Sequence, residues 1–381
     1  MKENILIIHG GAPTTVINAS LYGVIKAASE HVGVGDILGA RCGSGAVLRE
    51  DFIDLRKIPE SELALLPSTP GSAIGTSRDA LAEHYDEMAR VIKKRGIGVV
   101  LYNGGNGSMD ACGKLAAACG DGVRIVGIPK TIDNDIAVTD HAPGFGSAAR
   151  YLIATVREIA EDVRSLPIHV CIIEAMGRNT GWLTAASALA WRHGNGPHMI
   201  MPPEIPFEEE RFLARSEELF KKHGGVVVVA SEGIKHADGE PVSEPVFKSG
   251  RSVYYGDVGS HLANLIIKKL GIKARSEKPG IIGRASGAWQ SCVDRDGAVL
   301  AGKAAFEAAM DGHSRVMVGF ERLPGPEYAV KTVLIPIERV MLHERMLPLE
   351  YLCEGGEQAT KEYLDWCEPL IGGSFPRFAA F

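Results

Sequence analysis

The chain has 381 residues, 45% hydrophobic and 23% charged, with 45 glycines and a formal net charge of -6. That length exceeds what one ordinary core organises, so two domains are expected. The acidic balance gives no general pull toward nucleic acid or an anionic membrane, so neither is expected as a partner, and an anionic ligand has to be met by placed Arg, Lys or backbone N–H groups. Seven cysteines (Cys42, Cys112, Cys119, Cys171, Cys292, Cys353, Cys367) form no C-x-x-C pair. They read as reduced, mostly buried thiols of a cytoplasmic protein. Met1-Lys2-Glu3-Asn4 leads directly into a strand-like run, so no signal peptide is expected. The apolar runs fall far short of the ~20 residues of a membrane span.

Ile5 to His9 reads as a buried parallel strand. It is followed by Gly10-Gly11-Ala12-Pro13 and a helix over Val16 to Ala28. A glycine-rich turn opening into a helix offers N–H groups to a phosphate, or is a tight strand–helix turn and nothing more. Residues 33–75 read as irregular, and a helix is expected from about Arg78 to Arg95. The strand Gly98 to Tyr102 ends in Asn103-Gly104-Gly105-Asn106-Gly107-Ser108, with a helix opening at Met109. Neither glycine turn is a P-loop or a G-x-G-x-x-G dinucleotide fingerprint.

The apolar run Val123 to Ile128 then opens into Pro129-Lys130-Thr131-Ile132-Asp133-Asn134-Asp135. In an α/β domain, ligands bind at the carboxyl ends of strands. Asp133 and Asp135, two apart in an extended segment, point the same way and can share a cation or divide the work of base and metal ligand. The alternative is a solvated loop in which Asp and Asn make turns.

A helix follows over about Ser147 to Ser165, then the strand His169 to Glu174, the turn Ala175 to Gly181 and a helix from Trp182. His198 to Met201 and Val226 to Ala230 read as strands. Phe207 to His223 and Asp257 to Leu270 read as helices. Arg275 to Arg284 is extended and basic, and a helix spans about Asp296 to Asp311. Val316 to Phe320 and Thr332 to Ile337 read as strands, and Glu354 to Cys367 as a final helix. Strands alternating with helices mean an α/β fold with parallel sheets.

Lys130-Thr131-Ile132-Asp133-Asn134-Asp135, taken with Gly104-Gly105-Asn106-Gly107-Ser108 and Met176-Gly177-Arg178, resembles the phosphofructokinase family. The likeness runs in order through Gly10-Gly11, Gly75-Thr76-Ser77-Arg78, Pro143 to Ser147, Ser231-Glu232-Gly233 and the basic segment to Arg284. The length, Thr180-Gly181-Trp182 and Met346-Leu347-Pro348 look like the pyrophosphate-using branch.

The resemblance implies two three-layer α/β/α Rossmann-like domains with mainly parallel sheets and an active site in the interdomain cleft. Residues 1–144 plus about 280–315 would bind the phosphoryl donor. Residues 145–279 plus about 316–381 would bind a sugar phosphate. The implied reaction is Mg²⁺-dependent transfer to the 1-hydroxyl of fructose 6-phosphate in a homodimer or homotetramer. Asp133 would be the general base, and Thr131, Lys130 and Arg178 would act on the moving phosphoryl group. Asp135 and Asn106 would hold Mg²⁺. Gly10, Gly11, Gly104, Gly105, Asn106, Gly107 and Ser108 would meet the donor. Asp135, Met176, Gly177, Glu232, His169, Arg275 and Arg284 would line the acceptor side.

In that family, pyrophosphate users carry an Asp in the second glycine turn and a Lys before the Thr-Ile-Asp run, while many ATP users carry Gly at both. Here the pair is Gly107 and Lys130. Gly107 removes bulk and negative charge, which puts ATP first as donor and pyrophosphate second. The acceptor side departs in three places. Asn106 stands for a common Asp, His169 for an Arg or Lys, and Ile281 with Gly283 for a polar ring side chain and a Gln. Arg275 and Arg284 fall on the family's arginine positions. A different sugar acceptor, or a weakly catalytic ligand-binding homologue, is the third reading.

Overall fold

The computed structural model describes residues 2–249, 252–325 and 327–379. Thirteen strands lie among the described residues: β1 Glu3–His9, β2 Val34–Ala40, β3 Phe52–Asp54, β4 Ile97–Gly104, β5 Arg124–Pro129, β6 His169–Ala175, β7 Met199–Met201, β8 Val226–Ser231, β9 Pro245–Ser249, β10 Ser252–Tyr255, β11 Lys273–Glu277, β12 Val316–Arg322 and β13 Val330–Pro336. The chain is α/β, and it divides into two compact units. One holds Met1–Ser147 and Arg284–Arg345, the other Ala148–Gly283 and Met346–Phe381.

The first unit carries a seven-stranded sheet in the order β13-β12-β5-β4-β1-β2-β3. Its five central strands are parallel, and both edge strands, β3 and β13, are antiparallel to their neighbours. Alternating side chains fill both faces. Leu6, Ile8, Val100 and Ile125 point into one core with Met88, Ile92 and Leu115. Ile5, Ile7, Val99, Leu101 and Val126 point into another with Leu21, Val24 and Phe306. Apolar faces on both sides of a parallel sheet require covering helices, and the unit is therefore three layers deep.

The second unit carries the parallel order β11-β6-β8-β7 and a separate pair of β9 with β10. Val170, Ile172, Val226 and Val228 of this sheet pack with Phe212, Leu219, Leu262 and Ile266 from the helices Glu209–His223 and Val258–Leu270.

Several segments differ from the expectation. Residues 33–75 hold β2 and β3, whose glycines and acids mask a strand that exists because β1 offers it an edge. The helix expected from Arg78 begins at Tyr85, because the Asp79 carboxylate is occupied by the Ser44 hydroxyl and the Gly45 N–H in a loop. The final helix covers only Lys361–Cys367: Gly355 and Gly356 take positive φ, and Thr360 caps the start by accepting from Tyr363 N–H. β12 and β13 lie in the first unit's sheet, with Val316 and Met317 of β12 in parallel register with Val126 and Gly127 of β5. Four of the seven cysteines are buried and all are free. No helix among the described residues is long and apolar enough to cross a membrane.

The helices Ile17–Glu30 and Cys292–Met310 approach closely through two glycines. A Cβ on Gly302 would overlap the Ser20 carbonyl oxygen, and one on Gly23 the Val299 carbonyl oxygen. Gly302→Ala is expected to force these helices apart and destabilise the protein by about 2 kcal/mol. Urea unfolding checks this, and an unchanged midpoint refutes it.

Candidate functional site

Three neighbouring strands of the first unit end side by side, with His9 of β1 in register with Asn103 of β4, and Gly104 with Pro129 of β5. Their glycines are explained by packing. A Cβ at Gly10 or Gly104 would strike the Ser108 hydroxyl, which sits beneath both turns. Gly11 adopts φ +77°, donates from N–H to Ser77 O (2.9 Å), and accepts from the Thr76 hydroxyl at its carbonyl (2.8 Å). Gly105 is extended and caps a helix that runs Asn106–Cys119, three residues earlier than expected, so Asn106, Gly107 and Ser108 occupy its first turn. The N–H groups there carry the positive end of the helix dipole. At Gly107 nothing lies within 4 Å of where a Cβ would stand.

Lys130 follows β5 and is buried. Its N–H donates to Gly104 O (2.9 Å), and its ammonium donates to Ala12 O (2.5 Å) between the two glycine turns. Burial pulls its pKa down to about 8; Asp133 and Asp135 oppose that, and Arg284 and Arg78 add to it. The Thr131 hydroxyl accepts from Asp133 N–H (3.0 Å), and Thr131 N–H donates to Pro143 O (3.1 Å). Asn134 adopts φ +54°, and its side-chain oxygen accepts from Ala142 N–H (3.0 Å). The Asn106 amide donates to the Asp135 carboxylate (2.9 Å) and carbonyl (3.2 Å). Burial raises the Asp135 carboxyl above its ordinary value, against hydrogen bonds from its own N–H, the Thr131 hydroxyl and the Asn106 amide.

Asp135 Oδ1 and Asn106 Oδ1 are both buried and have no hydrogen-bond partner among the described residues. Two neighbouring bare oxygens suit a hard cation that takes oxygen ligands. No cluster of three or more His, Cys, Asp or Glu with metal-binding geometry occurs among the described residues. A cation here would therefore complete its shell from water and ligand oxygens, which suits Mg²⁺.

Other site residues fall in the second unit. Gly177 takes φ +113°, and its carbonyl accepts from the Ser231 hydroxyl (2.6 Å). A Cβ on Gly233 would overlap the Arg178 carbonyl, so Ser231-Glu232-Gly233 and Met176-Gly177-Arg178 form one packed pair of turns. Arg178 is exposed. Burial raises the Glu232 carboxyl, and Arg178 draws it back. His169 opens β6 opposite Lys273, and Arg275 lies opposite Cys171. His169, Lys273 and Arg275 line a cavity of about 370 Å³. Burial, then Arg275, lowers the His169 pKa, so the imidazole is neutral at pH 7. Arg284 lies in the first unit, within electrostatic reach of Lys130.

Sequence reading missed His9. Its Nδ1 lies 2.7 Å from the Ser72 hydroxyl, which itself donates to Gly75 O (2.9 Å). Nδ1 must then carry the hydrogen, leaving a bare acceptor at the buried Nε2. Burial, then Lys130, depresses its pKa to about 3. The available signal was a histidine at a strand end directly before Gly-Gly. Asp294 was also missed. It is fully enclosed and accepts from Gly144 N–H and Ser147 N–H (2.9 Å each), and so fixes the far end of the Asp133 loop.

Glycine turns, a buried ammonium and a carboxylate pair at parallel strand ends define an α/β protein equipped to hold phosphoryl groups. The phosphofructokinase family profile matches residues 4–309, and the chain belongs to that family, whose members transfer phosphoryl groups to an alcohol. It is 38% identical to the pyrophosphate–fructose 6-phosphate 1-phosphotransferase of Xanthomonas campestris pv. campestris (strain B100), over 98% of this chain and 92% of that protein. It is 30% identical to the sulfofructose kinase of Alkalicoccus urumqiensis, over 96% and 95% respectively. The structure of the pyrophosphate-dependent phosphofructokinase from Nitrosospira multiformis superposes with a TM-score of 0.90 at 34% identity, over 99% of this chain and 94% of that one. These names favour the pyrophosphate reading over the ATP reading that Gly107 put first.

Lys130 supplies a pH test. A role in attracting an anionic donor would belong to its cation, and that form is lost as pH rises through about 8. The kcat/KM for the donor is expected to show an alkaline limb there. In Lys130→Arg, whose guanidinium keeps its proton, the limb moves well upward. A limb that stays in place in that variant excludes Lys130 as its source. For stability the sign is opposite. Between about 8 and the ordinary lysine value the unfolded chain binds more protons, so stability rises with pH in that window.

Proposed function

We propose that the protein transfers a phosphoryl group from pyrophosphate to the 1-hydroxyl of fructose 6-phosphate, with Mg²⁺. The observation that carries this reading is the Lys130 ammonium, buried between the Gly10-Gly11 and Gly104-Gly105 turns. A fixed cation there meets a compact, highly charged donor without needing a nucleotide. Relatives of nearly full length named for pyrophosphate support it.

In this reading Gly10, Gly11, Gly104, Gly105 and Gly107 let the pyrophosphate come close to the backbone, and the first turn of the helix at Asn106, with the Ser108 hydroxyl, faces it. Asp133 takes the proton from the sugar hydroxyl. Lys130, Thr131 and Arg178 stabilise charge on the phosphoryl group in transit. Asp135 and Asn106 hold Mg²⁺, which when bound neutralises charge on the phosphate oxygens. Met176, Gly177 and Glu232 orient the sugar, and His169, Arg275 and Arg284 act on its 6-phosphate. The first unit is the donor domain and the second the acceptor domain of a cytoplasmic homodimer or homotetramer.

A second reading has its own support. The open space at Gly107 leaves room for a nucleotide α-phosphate, and neutral His169 reduces the charge of the anion subsite beside Arg275. That combination suits ATP as donor and an acceptor whose C6 group carries one negative charge, in line with the sulfofructose kinase relative.

A donor-by-acceptor matrix of pyrophosphate and ATP against fructose 6-phosphate and sulfofructose decides between them. The first reading expects the highest kcat/KM for pyrophosphate with fructose 6-phosphate. A maximum for ATP with sulfofructose overturns it. With whichever pair is used, Asp133→Asn is expected to lower kcat about 10³-fold with little change in KM, as removal of a general base does.

A further inference from the structure

The segment Thr131 to Gly144 contains no helix and no ladder strand, yet it carries Asp133 and Asp135. Its middle is strained. Val138 adopts φ +71°, a left-handed conformation that a β-branched residue rarely takes. Such a conformation is costly and persists only where its surroundings over-determine it.

The surroundings are supplied by a distant segment that ends at Arg345. Glu344 forms an antiparallel bridge with Ile136. Arg345 N–H donates to the Asp135 carbonyl (2.8 Å). One guanidinium nitrogen of Arg345 donates to both the Thr139 and Asp140 carbonyls (2.6 Å each). These bonds grip the chain on both sides of Val138. The Asp135 carbonyl also accepts from the Asn106 amide, so the residue is held from two directions while its Oδ1 stays bare.

We propose that Arg345 is a positioning residue that holds the strained Val138 turn and thereby fixes the Asp135 carboxylate for its cation. The metal role of Asp135 is that of the function proposed above. Arg345 acts through the loop backbone, whose carbonyls its guanidinium and N–H hold.

The test compares wild type, Arg345→Ala and Arg345→Lys. Mn²⁺ is titrated by electron paramagnetic resonance, alone and with methylenediphosphonate as a non-transferable donor analogue. Arg345→Ala is expected to weaken Mn²⁺ binding about tenfold, with Arg345→Lys recovering part of it, as for residues that orient a metal ligand. Per folded protein, kcat falls in parallel while KM for the sugar acceptor stays within about twofold.

A merely structural arginine would lower the melting temperature and leave Mn²⁺ affinity and kcat per folded molecule unchanged, which overturns the proposal. If Arg345→Ala does not fold, the same comparison is read from Arg345→Lys. Wild type that binds no Mn²⁺ under either condition also overturns it. Wild type that binds Mn²⁺ but turns over no substrate pair defeats the proposed function, and the Mn²⁺ series still decides the role of Arg345.

Discussion

A single ammonium group withheld from water constrains the first unit. Lys130 leaves β5 at the point where the parallel sheet ends, and its side chain runs between two glycine turns to a backbone carbonyl. A buried cation is costly unless hydrogen-bonded and balanced. Here the Ala12 carbonyl, Asp133 and Asp135 provide the balance, while Arg78 and Arg284 work against it. The glycines are part of the same solution, since any side chain at Gly10 or Gly104 would displace Ser108 from beneath the turns. The result is a strand end that carries a buried ammonium, with open space in front of Gly107.

The loop that follows is held by pieces of chain far away in sequence. Asp294 accepts from the N–H groups of Gly144 and Ser147 at one end. Arg345 grips the middle, and the Thr139 hydroxyl accepts from Phe320 N–H of β12. His141 stacks on Phe320 and meets Asp140, which in turn meets Arg322. A loop without regular structure thus acquires the rigidity that a carboxylate pair needs to act at fixed positions. The same contacts explain why β12 and β13 belong with the first unit: the register of β12 with β5 brings Phe320 and Arg322 to the loop, and β13 pairs with β12.

Much of the architecture was legible in the chain because burial on both faces of a parallel strand produces uninterrupted apolar runs. Ile5 to Ile8, Val99 to Leu101, Ile125 to Ile128 and Val226 to Ala230 all became central strands. The site loops stood out as glycine and acid clusters at the carboxyl ends of strands, where α/β domains bind ligands, but taken alone each could equally be a plain turn. Legibility failed where an element owes its form to a neighbour. β2, interrupted by glycine and aspartate, is a strand because β1 pairs with it. The stretch before Tyr85 is a loop because Asp79 is engaged elsewhere.

What the sequence by itself determined was the kind of protein: an α/β phosphotransferase of the phosphofructokinase family, with Lys130, Asp133 and Asp135 in one loop. Periodicity and turn chemistry act over a few residues and suffice for the α/β class, while the family rests on the ordered run of motifs and the profile match. Only the tertiary structure decided the state of those residues. It buried the ammonium, left Asp135 and Asn106 each with a bare oxygen, and lowered the His169 pKa by burial and by Arg275. It also assigned Arg345 and Asp294 to the loop. Burial, hydrogen-bond satisfaction and pKa depend on atoms more than a hundred residues away in the chain, and no local pattern encodes that proximity.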